Sequence, residues 1–247
     1  MLLHPTLTLL NELGLAGMAK SFQNLNTQPE SRALDHAEWL GLLLDQEVTI
    51  RRQKRFESRA KAARLRHDAS LEDVDYQAPR GLDRGLFLTL GSCDWIRSRR
   101  NLLITGPCGV GKSYLACALG QKACREDLSV VYHRASRLFS MLALGRSDGR
   151  YAKMLRALSR ACVLIIDDFG PESLNADRRR DLLEIVEERY DRGSIIITSQ
   201  VPVESWYEII GSPTLADAIL DRVIHNAYRI ELSGESLRKK RNPHLDT

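Results

Sequence analysis

Apolar residues are unevenly spread along the chain. From residue 101 onward they gather in short continuous runs: 101–105 (Asn-Leu-Leu-Ile-Thr), 129–133 (Ser-Val-Val-Tyr-His), 162–167 (Cys-Val-Leu-Ile-Ile-Asp), 194–199 (Ser-Ile-Ile-Ile-Thr-Ser) and 227–232 (Ala-Tyr-Arg-Ile-Glu-Leu). Runs without polar alternation belong to strands buried on both faces, so they predict a parallel sheet with helices on either side. The first 66 residues follow the helical period instead. Met18, Phe22 and Leu25 fall at i, i+4 and i+7, Gln28-Pro29-Glu30 breaks the pattern, and Asp35 with Glu38 forms a helix-opening pair before Trp39 to Leu44. Residues 67–100 read as a connector, with a break at Ala78-Pro79-Arg80-Gly81 and short apolar pieces at Leu86–Leu90 and Trp95-Ile96. The expected organisation is a small helical N-terminal domain (1–66), a connector (67–100) and an α/β domain (101–247).

Charge changes this picture at one place. Residues 1–50 carry two basic and six acidic side chains, whereas 51–66 carry eight basic ones against the single Glu57. The second helix is expected to run on through this block, with Arg52, Arg55, Arg59 and Arg66 on one face and Arg51, Lys54, Lys61 and Arg64 around the sides. Such a block points to a polyanionic partner, with Arg51, Arg52, Lys54, Arg55 and Arg59 as candidate contacts to nucleic acid; the alternative is a solvated helix. Composition excludes less. With 43% apolar residues a sizeable core is expected, no stretch reaches the length of a membrane span, and the start lacks a basic leader, which implies a cytoplasmic protein. Cys93, Cys108, Cys117, Cys124 and Cys162 are scattered without C-x-x-C spacing and read as thiols rather than zinc ligands or disulfides.

The candidate chemistry begins where the first apolar run ends. Gly106-Pro107-Cys108-Gly109-Val110-Gly111-Lys112-Ser113 is a complete G-x-x-x-x-G-K-[ST] loop between a strand and a helix. Its glycines let backbone N–H groups turn inward around a polyphosphate, Lys112 supplies a charge to the β- and γ-phosphates, and the Ser113 hydroxyl suits Mg²⁺, so a nucleoside triphosphate with Mg²⁺ is the expected ligand. The third run closes on Asp167 and Asp168 at its carboxyl end: one carboxylate to hold the metal's hydration shell, the other to orient or deprotonate an attacking water. Thr198-Ser199-Gln200 delivers polar groups to the same edge of the sheet, where one of the three is placed to touch the γ-phosphate or the water. Arg222, beside Asp217 and Asp221, is either an ion-paired surface group or an arginine supplied to a neighbour's site.

In this order the motifs resemble the AAA+ ATPases, and more closely the branch of the helicase loader DnaC and the insertion-sequence helper IstB. The similarity runs through SLEDVDYQAPRGLDRG (70–85), LLITGPCGVGKSYLACALG (102–120), LIIDDFG (164–170), IIITSQVPVESWYEIIGSPTLADAILDRVIHNAYRIEL (195–232) and GESLRKKR (234–241). The resemblance implies an AAA+ P-loop fold with a five-stranded parallel sheet. It also implies a nucleotide loop at 106–113, Walker B carboxylates at Asp167 and Asp168, a sensor at Gln200, an arginine finger at Arg222 and a second sensor at Arg238. About 15 residues follow the last strand, so little or no helical lid is expected. It implies too a Mg-dependent ATPase that forms a homo-oligomer on target DNA, deforms it, and recruits and stimulates a DDE-type, IstA-like transposase. A replicative helicase loader is the alternative on the same fold. Outside it stand a small-molecule kinase, with 134–161 (Arg137, Arg146, Arg150, Lys153, Arg156) as its lid, and a DNA-bending protein that binds ATP without hydrolysing it.

Overall fold

The computed structural model describes residues 4–237, and the chain divides into two compact units, Met1–Ser58 and Arg59–Thr247. In the first unit, α1 (Pro5–Glu12), α2 (Ala16–Thr27) and the amino-terminal half of α3 (His36–Ala63) enclose a small core of Leu7, Leu10, Phe22, Leu25 and Leu43, with the Trp39 ring set edge-on to Phe22 at 5.5 Å. The opening of α3 is a reciprocal cap: Glu38 N donates to Asp35 Oδ1 (2.8 Å) and Asp35 N to Glu38 Oε2 (3.1 Å). The helix continues through the basic block but stops at Ala63, where Arg64 turns to a φ of +52°. Arg66 therefore leaves the basic face expected from the helical period.

Inside this unit Glu47 is buried and replaces a missing cap. Its Oε2 accepts the N–H groups of Gly17 (2.7 Å) and Met18 (3.1 Å), two orphan donors in the first turn of α2, while Oε1 accepts from Arg51 (2.6 Å). Burial would raise the Glu47 pKa, but the Arg51 guanidinium and the two N–H groups outweigh it and hold it below the usual glutamate value. A folded-state pKa below the unfolded one stabilises above the unfolded value and is lost as pH falls through the folded one. Glu47→Ala is accordingly expected to destabilise the first unit by about 1–3 kcal/mol at neutral pH. Urea unfolding followed by Trp39 fluorescence in variants lacking the other tryptophans should show the deficit shrinking in acid.

The second unit opens with α4 (Arg84–Leu90), capped by Asp83, and the short α5 (Asp94–Arg97). There follow β1 (Asn101–Thr105), α6 (Lys112–Arg125), β2 (Val130–Arg134), α7 (Ala135–Ser147), α8 (Tyr151–Arg160), β3 (Val163–Phe169) and α9 (Ala176–Arg189). The described chain ends with β4 (Ser194–Ser199), α10 (Trp206–Ile210), α11 (Pro213–Ile224), β5 (Ala227–Glu231) and the segment to Leu237. All neighbouring strands pair in parallel, in the order β2-β3-β4-β1-β5. β1 and β4 are buried at every residue, as uninterrupted apolar runs require, while the edge strands β2 and β5 are buried only in part. The main core lies between the sheet and the layer of α7 to α11, around Leu138, Leu142, Ile166, Phe169, Ile185 and Trp206. Among the described residues no helix is long and apolar enough to cross a membrane.

Candidate nucleotide site at the carboxyl edge of the sheet

The loop from Gly106 to Ser113 leaves the carboxyl end of β1, which lies between β4 and the edge strand β5. Gly106, Gly109 and Gly111 take φ values of +139°, +86° and +97°, which side-chain-bearing residues rarely adopt. Space forbids a Cβ as firmly as the backbone does: at Gly109 it would lie 2.0 Å from Ser236 Oγ, and at Gly106 2.3 Å from Leu232 O. The loop is thus clamped from outside by the segment after β5, where Leu237 N also donates to Gly109 O (3.0 Å), and by the buried Arg80, whose Nη1 donates to Val110 O (3.1 Å). Val110 is fully buried beneath the loop, and Cys108 is an exposed thiol. Lys112 is 8% exposed and its Nζ donates to the loop carbonyls of Gly106 (2.7 Å) and Pro107 (2.6 Å), so the ammonium sits in the concavity of the loop.

Across from the loop, Asp167 is wholly buried and ringed by hydroxyls. Oδ1 accepts from Ser113 Oγ (2.7 Å) and Thr198 Oγ1 (2.6 Å), and Oδ2 accepts from Tyr132 OH (2.6 Å). Burial, and then the Asp167 carboxylate that accepts its proton, push the Tyr132 phenol far above the usual tyrosine value, which keeps it a donor. Asp168 follows with a φ of +62° and breaks the register between Ile166 and Phe169. Its N–H donates to Thr198 Oγ1 (3.0 Å) in place of a strand partner, and pairing resumes at Phe169 opposite Ser199. The carboxylates are therefore not at the end of the strand, as the apolar run suggests; β3 runs on through a bulge that aims the two side chains differently. Asp168 Oδ2 meets Arg134 Nη2 (2.6 Å) and Oδ1 meets Gln200 Nε2 (3.0 Å). Burial raises its pKa, but these two partners and the nearby charge of Lys112 prevail and hold it below the usual aspartate range, so it is ionised at neutral pH.

Of the three polar residues ending β4, Thr198 binds Asp167, Gln200 binds Asp168, and the buried Ser199 donates to Phe169 O (2.7 Å) and so holds the strand end. Three groups of this site carry no motif. Tyr132 and Arg134 stand two residues apart on β2, the same side of the strand, in register with Ile165 and Asp167 of β3. Arg80 comes from the connector. The signal for the first two is the polar ending of the second apolar run; Arg80 leaves none.

Arg222 lies elsewhere. Its backbone O, and that of Val223, accept from Asn101 Nδ2 (both 3.1 Å) at the amino end of β1, a strand length of about 16 Å from the loop that leaves the carboxyl end. The side chain lines a cleft with Arg99, Tyr190 and Asn226, donates to Ala218 O (2.7 Å) and stands 3.6 Å from Glu187. Along α3, Arg52, Lys54 and Arg55 are exposed; Arg51 is engaged by Glu47, and Arg59 pairs with Asp127 at 2.7 Å. Arg238 lies outside the described residues.

This arrangement has close counterparts. An insertion sequence ATP-binding protein of Sinorhizobium fredii is 60% identical over 97% of this chain and 98% of its own length. The IS21 ATP-binding protein of Pseudomonas aeruginosa is 34% identical over 96% of this chain and 90% of its own. Among solved structures, that of DnaI superposes with a TM-score of 0.57 at 24% identity, covering 67% of this chain and 91% of that one, a likeness of fold. The family model described as IstB-like ATP binding protein matches residues 8–244. On a match of that extent, the chain belongs to the IstB-like ATP-binding family found in insertion sequences.

Proposed function

We propose that this protein is a Mg-dependent AAA+ ATPase that assembles on double-stranded DNA, deforms it, and recruits and stimulates the transposase of its own insertion sequence. The observation that carries the enzymatic part is the pair of adjacent carboxylates with separate partners, Asp167 among hydroxyls and Asp168 between Arg134 and Gln200, facing a glycine loop with a centred lysine. The residues fit a nucleoside triphosphate with a hard divalent cation: a loop whose three glycines have no room for a Cβ, and an oxygen-only donor set of Ser113 and Asp167. Bound there, the cation neutralises charge developing on the phosphates. Lys112 would exchange its loop carbonyls for phosphate oxygens. Asp168, held ionised, orients the attacking water and takes its proton, and Gln200 reports on that water through the carboxylate it already touches. Arg222, too far from its own loop, serves a neighbouring protomer, which makes self-assembly a condition of turnover.

The insertion-sequence setting of the relatives supports the DNA and transposase part, and the exposed cations of α3 support binding through the phosphate backbone rather than by base reading. A kinase lid at 134–161 is disfavoured. Leu138, Phe139, Leu142 and Leu158 of that segment are buried in the main core, and Arg146 is bound to Asp181 (2.6 Å). The test is the size of the purified protein, with and without duplex DNA, in ADP and in a non-hydrolysable ATP analogue. Assembly is expected only with DNA and the analogue together; a monomer under all four conditions would refute the reading. Replacing Arg52, Lys54 and Arg55 with Gln should weaken binding equally across duplex sequences and flatten the slope of log affinity against log salt by up to about 3. An unaltered slope would mean that this face of α3 is merely solvated.

A further inference from the structure

Arg66 stands in the basic block by sequence but not in space. Three residues beyond the end of α3, its Nη1 lies 3.7 Å from Asp167 Oδ2, the oxygen that also accepts from Tyr132. The residues that carry it are fixed on α6, the helix that the phosphate loop opens into. The N–H groups of Arg66 and His67 are turned to the sulfur of the buried Cys117, Leu65 packs beside Gly120, and Asp68 Oδ1 accepts from Gln121 Nε2 (2.9 Å).

We propose that Arg66 tunes the nucleotide site, its charge beside the Oδ2 edge of Asp167 setting how much divalent cation the site requires. The inference rests on the proposed nucleotide function and deepens it. The argument is electrostatic. Asp167 is wholly buried, so its negative charge is the attraction a cation beside Ser113 would feel, and Arg66 spends part of that attraction before the cation arrives. A cation held by Ser113 and Asp167 would also feel the guanidinium as a like charge. Arg66 is 37% exposed, which screens the repulsion without abolishing it. Removing the charge should therefore make cation binding easier. A purely structural role predicts the opposite sign, since an Asp167 left loose on one edge would hold the cation less well.

The experiment measures binding of a fluorescent non-hydrolysable ATP analogue to the full chain by anisotropy, titrating Mg²⁺ at constant ionic strength. For Arg66→Gln the Mg²⁺ concentration at half-saturation is expected to fall roughly 3- to 10-fold, with screened electrostatics setting the range. Arg66→Lys, which keeps the charge, should stay near the parent value. Arg64→Gln, the same change of net charge two residues away, should also match the parent, and thermal melts confirm that each variant is folded. An unchanged or raised requirement in Arg66→Gln overturns the inference, as does an equal fall in Arg64→Gln. A parent protein that fails to bind the analogue at any Mg²⁺ concentration would instead overturn the nucleotide reading itself, and the inference with it.

Discussion

Arg222→Ala protein and Lys112→Ala protein, each inactive alone, are expected to regain ATP hydrolysis when mixed. Lys112 holds its ammonium in the concavity of the phosphate loop, and its charge is the expected counter-ion for the β- and γ-phosphates. Lys112→Ala should therefore lose measurable nucleotide binding. Arg222→Ala should bind nucleotide normally, because Arg222 hangs from the amino end of β1 while the loop leaves the other end. If Arg222 acts on a neighbouring protomer as proposed, its loss removes a charge from that protomer's transition state, worth about 10³ or more in rate. In the mixture the intact arginine of the Lys112→Ala protomer completes the intact loop of the Arg222→Ala protomer. Phosphate release by the mixture is the measurement. Mixed oligomers that remain inactive would make Arg222 a structural partner of Glu187 and remove the basis for a shared site.

Asp168→Asn is expected to lower turnover by roughly 10² or more while leaving nucleotide binding intact, so that the assembly on DNA persists in ATP. Asn suits the position for a backbone reason: at a φ of +62° it is one of the few residues with a side chain that enters the left-handed region at little cost. The amide keeps the shape and one acceptor but not the charge that pairs with Arg134 or takes a proton. Steady-state phosphate release set beside analogue binding separates the two effects. Hydrolysis at the parental rate would take Asp168 out of the reaction.

What the sequence shows of this site depends on how local each signal is. β1, β3 and β4 are legible because burial on both faces leaves runs such as Ile195-Ile196-Ile197 with no polar interruption. The phosphate loop is legible because its glycines, lysine and serine are contiguous. The bulge at Asp168 is not: nothing in Asp-Asp-Phe announces a left-handed residue, so β3 reads as ending two residues early. Tyr132 and Arg134 reach the carboxylates only through the pairing of β2 with β3, a register that no stretch of either strand states. Arg66 misleads for a related reason. Helical spacing continues it onto the face of Arg52 and Arg55, but the helix is stopped by Arg64 at a positive φ without a glycine or proline to mark the place.

The clamp on the phosphate loop also has a consequence for the order in which the molecule is made. Ser236 and Leu237 hold Gly109, yet they follow Ser113 by about 125 residues, and β5, which leads to them, pairs directly with β1. On a ribosome adding roughly 5–20 residues per second, the loop emerges about 6–25 s before the segment that closes around it. During that interval β1 has an open flank, and contacts of such sequence separation form late. Nucleotide capture is thus expected of the finished α/β unit, and under the proposed function a nascent chain attached to its ribosome would lack the triphosphate that joins protomers on DNA.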